Sequence, residues 1–238
     1  MRAIILILVC FTFALNLQAQ KSDFSAIDFD KADNIAKSLK GEALSNLPLL
    51  AHKLTNKLET DVERFRAIYF WVCNNIENDY LLMRKNERKR RRFKDDSLQL
   101  AEWNTTFSKI MFQRLLEDKK TLCTGYAFLV QELSRLAGIE CEMIDGYGKV
   151  GNTALEKLDM PNHTWNAVKL NNKWYLSDPT WSAGYIDGDT YYFTFNFYDE
   201  YFLMAPEKFA IEHRPLDMKW TLLPATQTTT SSAAVSQQ

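Results

Sequence analysis

The run Lys120-Thr121-Leu122-Cys123-Thr124-Gly125-Tyr126-Ala127, with the helix it opens, constrains this 238-residue chain more than any other stretch. Apolar residues recur at Tyr126, Leu129, Val130, Leu133, Leu136 and Ala137. That is helical spacing with one buried stripe, and Gly138 follows where a helix C-terminus favours glycine. Cys123 therefore sits at or just before the first turn of a core helix. Unpaired N–H groups and the helix dipole at that end stabilise a thiolate and lower the thiol pKa. A cysteine so placed is either a nucleophile or a small buried hydrophobe, and position alone leaves both open.

The length suits one ordinary domain with extra segments, and a 46% hydrophobic, 13% aromatic composition supplies a large core. A net charge of −1 argues against a nucleic-acid partner. Arg2, the apolar run Ile4 to Leu15 and the triplet Leu17-Gln18-Ala19 read as a signal peptide over residues 1–19. The run is short for a membrane span, so no span is expected in the mature form; a retained anchor is the alternative. The chain is then exported, to the periplasm, the cell envelope or outside the cell. Export implies an oxidising compartment. Three cysteines remain after cleavage, Cys73, Cys123 and Cys141, so at least one thiol stays free within a monomer. Cys73 and Cys141 lie in apolar settings and read as core positions, with a disulfide between them as the alternative.

Residues 20–59 read as a leader and helices, the leader extended over residues 20–30. Thr60 and Glu63 form a capping box for a stronger helix carrying Phe65, Ile68, Tyr69 and Val72 on one face. The basic residues of 85–94 lie among Glu87, Asp95 and Asp96 and read as a solvated loop or helix face; binding an anionic polymer is the alternative. Residues 98–117 are helical and 140–148 form a strand. Two strands, 163–170 and 173–178, flank the two-residue turn Asn171-Asn172. A second hairpin joins Tyr185-Ile186 to residues 190–195 around Asp187-Gly188-Asp189, a sequence too short for a calcium loop. Residues 225–238, built of Thr, Ser, Ala, Gln and a single Val, are expected to be disordered. Helices first and strands second predict an α+β fold with an antiparallel sheet.

The first hairpin supplies the second informative element. If Asn171-Asn172 is the turn, Leu170 faces Lys173, Val168 faces Tyr175 and Trp165 faces Asp178. His163, Trp165 and Ala167 then share a sheet face with Leu176 and Asp178. Asp178 becomes the diagonal neighbour of His163, within side-chain reach. A carboxylate beside an imidazole fixes its tautomer and stabilises its charged form. Cys123, His163 and Asp178 thus form a candidate thiol triad; the structural alternative is a buried Cys, a hydrogen-bonded His and a turn-forming Asp before Pro179.

Three blocks carry a family resemblance: Cys123-Thr124-Gly125-Tyr126-Ala127 with Leu136-Ala137-Gly138-Ile139; Asp145-Gly146-Tyr147; and His163-Thr164-Trp165-Asn166-Ala167-Val168 with Trp174 to Trp181. Two more blocks fit, Tyr69 to Ile76, and His213-Arg214-Pro215 with Trp220 to Leu223. The chain resembles the transglutaminase-like superfamily over residues 60–224, in its bacterial exported branch. It is similar to the kyphoscoliosis-peptidase and cytokinesis-protein type domains. The resemblance implies a papain-like α+β core with Cys123 as nucleophile, His163 as base and acid, and Asp178 as its orienter. The implied chemistry is acyl transfer or hydrolysis on peptide or protein amides through a thioester, with no cofactor. Its rivals are a catalytically silent binding or scaffold module on the same fold, and deglycosylation by amide hydrolysis at glycosylated asparagine.

The family usually places Gly two residues before the cysteine, where this chain has Thr121. That threonine is either accommodated or marks an altered site. Candidate oxyanion donors are the Cys123 backbone N–H and the side chains of Trp103 and Gln113. His213 reads as structural and remote from the triad elements, and His52 as exposed. The spacing of His and Cys holds no metal-ligand pattern and no Gly-rich phosphate cradle. The oligomeric state is left open.

Overall fold

The computed structural model describes residues 20–149 and 151–224. The expected signal peptide and disordered tail lie outside the described residues. The N-terminal half is helical: α1 (Asp30–Ser38), α2 (Leu47–Thr55), α3 (Asp61–Asn75), a two-residue strand β1 (Glu77–Asn78), α4 (Tyr80–Arg92) and α5 (Ser97–Asp118). Strand β2 (Lys120–Thr121) pairs in parallel with β1 and leads into α6 (Cys123–Leu136). Then come β3 (Cys141–Gly148), β4 (His163–Leu170), β5 (Lys173–Ser177), α7 (Pro179–Ala183), β6 (Gly184–Ile186), β7 (Phe193–Phe195), α8 (Pro206–Phe209) and β8 (His213–Pro215). The fold is α+β, as the order of patterns predicts. Its main sheet runs β5-β4-β3-β8 with every neighbour antiparallel.

Local chemistry explains the key boundaries. The Thr60–Glu63 capping box forms at the start of α3. Asn171 and Asn172 both take positive φ, 50° and 62°, as a two-residue hairpin turn of the favoured hand requires. That turn sets the predicted register, Leu170 opposite Lys173 and Val168 opposite Tyr175. Strand β4 is buried at seven of its eight positions, because both faces are covered. Val168 and Leu170 join the main core with α3 (Phe65, Ile68, Tyr69, Val72) and α6 (Tyr126, Leu129, Val130, Leu133). Trp165 and Ala167 join a smaller cluster with Ile144, Leu176 and Phe209.

Two expectations need correction, and one alternative is not realised. Residues 20–30 do not form an extended leader throughout: Lys21–Phe24 is a 3-10 turn. Phe24 is buried against the Tyr175 ring, and the Asp23 carboxylate accepts from Lys173 Nζ (2.8 Å) and Tyr175 Oη (2.9 Å). One apolar anchor and two charge-assisted bonds to a distant strand hold the segment down. The second hairpin is wider than predicted. Its ladder ends at Ile186–Phe193, because the Asp187 side chain accepts from the Asp189 and Thr190 N–H groups and Tyr191 turns to positive φ. The Cys73–Cys141 alternative is not realised, since Cys73, Cys123 and Cys141 are all free thiols. The basic run lies on the last turns of α4: Arg88, Arg91 and Arg92 are exposed, whereas Lys89 and Arg90 are half-buried and Arg90 donates to the Pro161 carbonyl (2.8 Å). Among the described residues no helix is long and apolar enough to cross a membrane.

Candidate active site

Cys123 is the first residue of α6, and Leu122 before it caps nothing with its side chain. Cys123 is half-buried as a residue, unlike the fully buried Cys73. Helix α6 lies against the β4 face bearing Thr164 and Asn166: the Asn166 amide donates to the Ala127 carbonyl (3.0 Å), and Thr124 Oγ1 meets Thr164 Oγ1 (3.3 Å). This seats the helix start at the His163 end of β4. The Thr164 backbone N–H and the His163 ring both act on the sulfur.

His163 opens β4, and its Nε2 lies 2.6 Å from Oδ2 of Asp178. The predicted pairing is reached differently from the expectation. The β4–β5 ladder stops at Asn166–Ser177, and Asp178 leaves it to cap α7. Its Oδ1 accepts from the N–H groups of Thr180 (2.9 Å) and Trp181 (3.1 Å), with Pro179 at the first helical position. The cap fixes one carboxylate oxygen and presents the other to His163. Gly148 on β3 makes room for the ring, since a Cβ there would press on the His163 side chain.

The electrostatics favour one charge state. Burial pushes the Cys123 thiol up, but the His163 ring, through hydrogen bonding and charge, brings it below the ordinary thiol value. Burial disfavours charge on His163, yet the Asp178 carboxylate overrides it and pushes the imidazole up to about 10. Burial would raise Asp178, but the charge and hydrogen bond of His163, helped by His213, hold it well below the usual carboxylate range. The imidazolium of His163 therefore favours both the Cys123 thiolate and the Asp178 carboxylate, while the charge of Asp178 by itself opposes the thiolate. By contrast, burial raises the Cys73 and Cys141 thiols, which marks them as inert core residues.

The structure brings Cys123, His163 and Asp178 together and separates other candidates from them. Trp103 belongs to the α4–α5 cluster and gives its indole N–H to Asn86 (2.9 Å). That N–H is thereby committed, and Gln113 is an exposed residue of α5 paired with Glu117 along its own helix. His213, expected to be remote, is part of the site: its Nε2 lies 3.0 Å from Oδ2 of Asp178. Pairing of β8 with β3 delivers it there, which local spacing does not reveal. Trp181 was also missed as a site residue. Its ring stacks on His163 with centroids 5.0 Å apart. Membership of His213 and Trp181 in the quoted sequence blocks was the available signal.

The imidazoles of His163 and His213 and the Asp178 carboxylate are grouped closely enough to count as metal donors. The geometry does not fit a cation: 2.6 Å between Nε2 and Oδ2 is too short for an ion bonded to both at about 2.0–2.2 Å in a tetrahedral shell. These atoms are joined by hydrogen bonds instead.

A family model described as the transglutaminase-like superfamily matches residues 48–179. The chain belongs to the transglutaminase-like superfamily. Human kyphoscoliosis peptidase is 35% identical over 200 residues, covering 82% of this chain and 27% of that protein. Hillarin of Drosophila melanogaster is 26% identical over 210 residues, covering 83% of this chain and 23% of the relative. The chain thus spans about a quarter of the length of these curated relatives. A solved structure described as a TGase is 16% identical, covers 79% of this chain and 40% of its own, and superposes with a TM-score of 0.37. The transglutaminase-like match contains Cys123, His163 and Asp178 and ends just after the last of them. His213 and β8 lie beyond it.

Proposed function

We propose that this transglutaminase-like chain is an exported thiol enzyme acting on peptide or protein amides, with Cys123 as nucleophile, His163 as acid and base, and Asp178 as orienter. The observation that carries it is geometric: Cys123 opens α6 at the His163 end of β4, and His163 Nε2 lies 2.6 Å from Oδ2 of an Asp178 carboxylate whose other oxygen is fixed by the α7 cap. The directions of the three shifts agree with it: thiol lowered, imidazole raised, carboxylate lowered. A set of core residues has no need of that agreement, and Cys73 and Cys141 show the opposite sign.

The thiolate attacks the amide carbonyl, forming a C–S bond and a tetrahedral oxyanion. The backbone N–H of Cys123, at the open end of α6, supplies a donor for that oxyanion. His163 gives its proton to the departing amine as the C–N bond breaks, leaving a thioester. His163, now neutral, takes a proton from the incoming water or amine, which releases acid or a new amide and restores the thiol pair. Asp178 stays ionised and holds the ring.

Human and mouse relatives are called kyphoscoliosis peptidase, so hydrolysis is the first reaction to assay. The test compares the protein with its Cys123→Ala variant in peptide-cleavage and in amine-incorporation assays. Turnover that Cys123→Ala abolishes is expected. Full turnover by the variant overturns the assignment. An unreactive Cys123 together with unchanged partner binding in Cys123→Ala would favour the silent scaffold.

A further inference from the structure

His213 sits on β8, 35 residues beyond Asp178, and is 2% exposed. Its ring is gripped from three sides. Phe209 stacks on it with centroids 3.9 Å apart, Trp181 lies at 4.3 Å, and Trp165 meets it edge-on at 5.1 Å. Its Nδ1 is 3.2 Å from the Phe209 carbonyl, and its Nε2 is 3.0 Å from Oδ2 of Asp178. His163 uses the same oxygen at 2.6 Å. The other oxygen of Asp178 takes the Thr180 and Trp181 N–H groups. Donors from α7, β4 and β8 thus converge on one fully buried carboxylate.

We propose that His213 is a positioning residue for the thiol chemistry: by donating Nε2–H to Oδ2 of Asp178, it fixes the carboxylate that aims His163 at Cys123. The inference rests on the thiol-enzyme reading and deepens it. Without His213, Oδ2 would have His163 as its only side-chain partner, and motion of the carboxylate would pass directly into the imidazole. A ring held by three aromatic neighbours removes that freedom with little further loss of entropy, since its rotamer is already set by packing.

The charge state of the second imidazole matters as well. The charged groups facing His213 are Asp178 and His163; Tyr201 lies 6.3 Å away with its hydroxyl bound to Glu212. Burial, with the positive His163 beside it, holds His213 below the ordinary imidazole value despite the pull of Asp178. Both of its ring nitrogens face acceptors, so a neutral ring keeps one of the two bonds; the positioning role needs its proton on Nε2, towards Asp178, with Nδ1 left bare beside the Phe209 carbonyl. A cation in its place would compete with His163 for the charge of Asp178.

The experiment is the pH dependence of Cys123 alkylation by iodoacetamide in the full chain, read by peptide mass, so no substrate need be known. His213→Phe keeps an aromatic ring and removes the donor. His213→Gln places an amide Nε2 donor near the same point. Wild type is expected to label rapidly below pH 7. In His213→Phe that low-pH labelling falls about tenfold, near the lower end for a hydrogen bond to a charged acceptor, and its limb moves towards an ordinary thiol. His213→Gln stays within about threefold of wild type. A purely structural histidine would lower the melting temperature without moving the limb. If wild type labels rapidly and His213→Phe matches it, the positioning role is overturned and the thiol-enzyme reading stands. If wild type labels only as an ordinary thiol, both fall. Should His213→Phe not fold, His213→Met supplies the donor-less variant, judged by the same profile against His213→Gln.

Discussion

Gly125 in α6 lays its bare Cα against the side chain of Thr121 on β2. A side chain at Gly125 would collide with the Thr121 hydroxyl and methyl groups. Thr121 is absent from the residues with positive φ, so its backbone does not need the freedom that glycine provides. The bulk that family members usually lack two residues before the cysteine is accommodated here by a glycine two residues after it. Thr121 is therefore no sign of a distorted strand.

Gly125→Ala is expected to destabilise the protein by about 1–3 kcal/mol through overpacking and to slow Cys123 alkylation by shifting the start of α6. Adding Thr121→Gly to that variant should recover part of the loss, because the two side chains compete for one space. Urea unfolding of the two single variants and the double variant measures the coupling.

Thr121→Val should behave differently. Thr121 Oγ1 is buried with no hydrogen-bond partner, so an apolar group of the same shape removes an unmet polar atom. Stability equal to wild type or up to about 1 kcal/mol higher is expected in urea unfolding, with the alkylation profile unchanged.

Asn166 ties the sheet to the helix that carries the thiol. Its buried amide donates to the carbonyls of Ala127 (3.0 Å) and Glu142 (3.3 Å). Asn166→Ala leaves those groups without that donor and should cost about 1–3 kcal/mol. Hydrogen exchange at the first turn of α6 should rise with it. Unchanged exchange there would show that the apolar contacts alone hold the helix in place.

The pH dependence of stability follows from His163 and Asp178. The His163 proton affinity rises to about 10 in the folded state, against about 6.5 in an unfolded chain. Its contribution is whole below about pH 6.5 and is lost as pH rises through about 10. The stability cost of His163→Gln should therefore be largest near pH 6 and shrink steadily towards pH 10. Asp178 has the opposite sign. Its affinity is lowered on folding, so its contribution is present above about pH 3.9 and lost as pH falls below that value. The cost of Asp178→Asn should then diminish in acid. Denaturant unfolding at four or five pH values tests both.

Residues that are neighbours in sequence, or related by one turn, were legible before the fold was known. The stripe from Tyr126 to Ala137 marks α6 and puts Cys123 at its start. A two-residue Asn-Asn turn leaves one register, which brings His163 and Asp178 to the same end of the hairpin. The errors arose over longer separations. Phe24 and Asp23 found partners near Tyr175, about 150 residues away, so the leader looked unanchored. Trp103 lies on α5, and the packing of that helix against α4 turns it onto Asn86. Gln113 instead meets Glu117 one turn along the same helix, a local pair that the spacing itself offered.

By itself, the sequence determined where a helix starts, where a hairpin turns and which side chains share a face, because these follow from periods of 3.6 and 2 and from the left-handed turn residues. Only the tertiary structure decided that Asp178 would leave its strand to cap α7 and that β8 would bring a second imidazole to it. That convergence depends on covering both faces of β4, with α6 on one side and the Trp165–Phe209 cluster on the other. Burial of apolar surface between distant segments drives it, and no local period records which segments those will be.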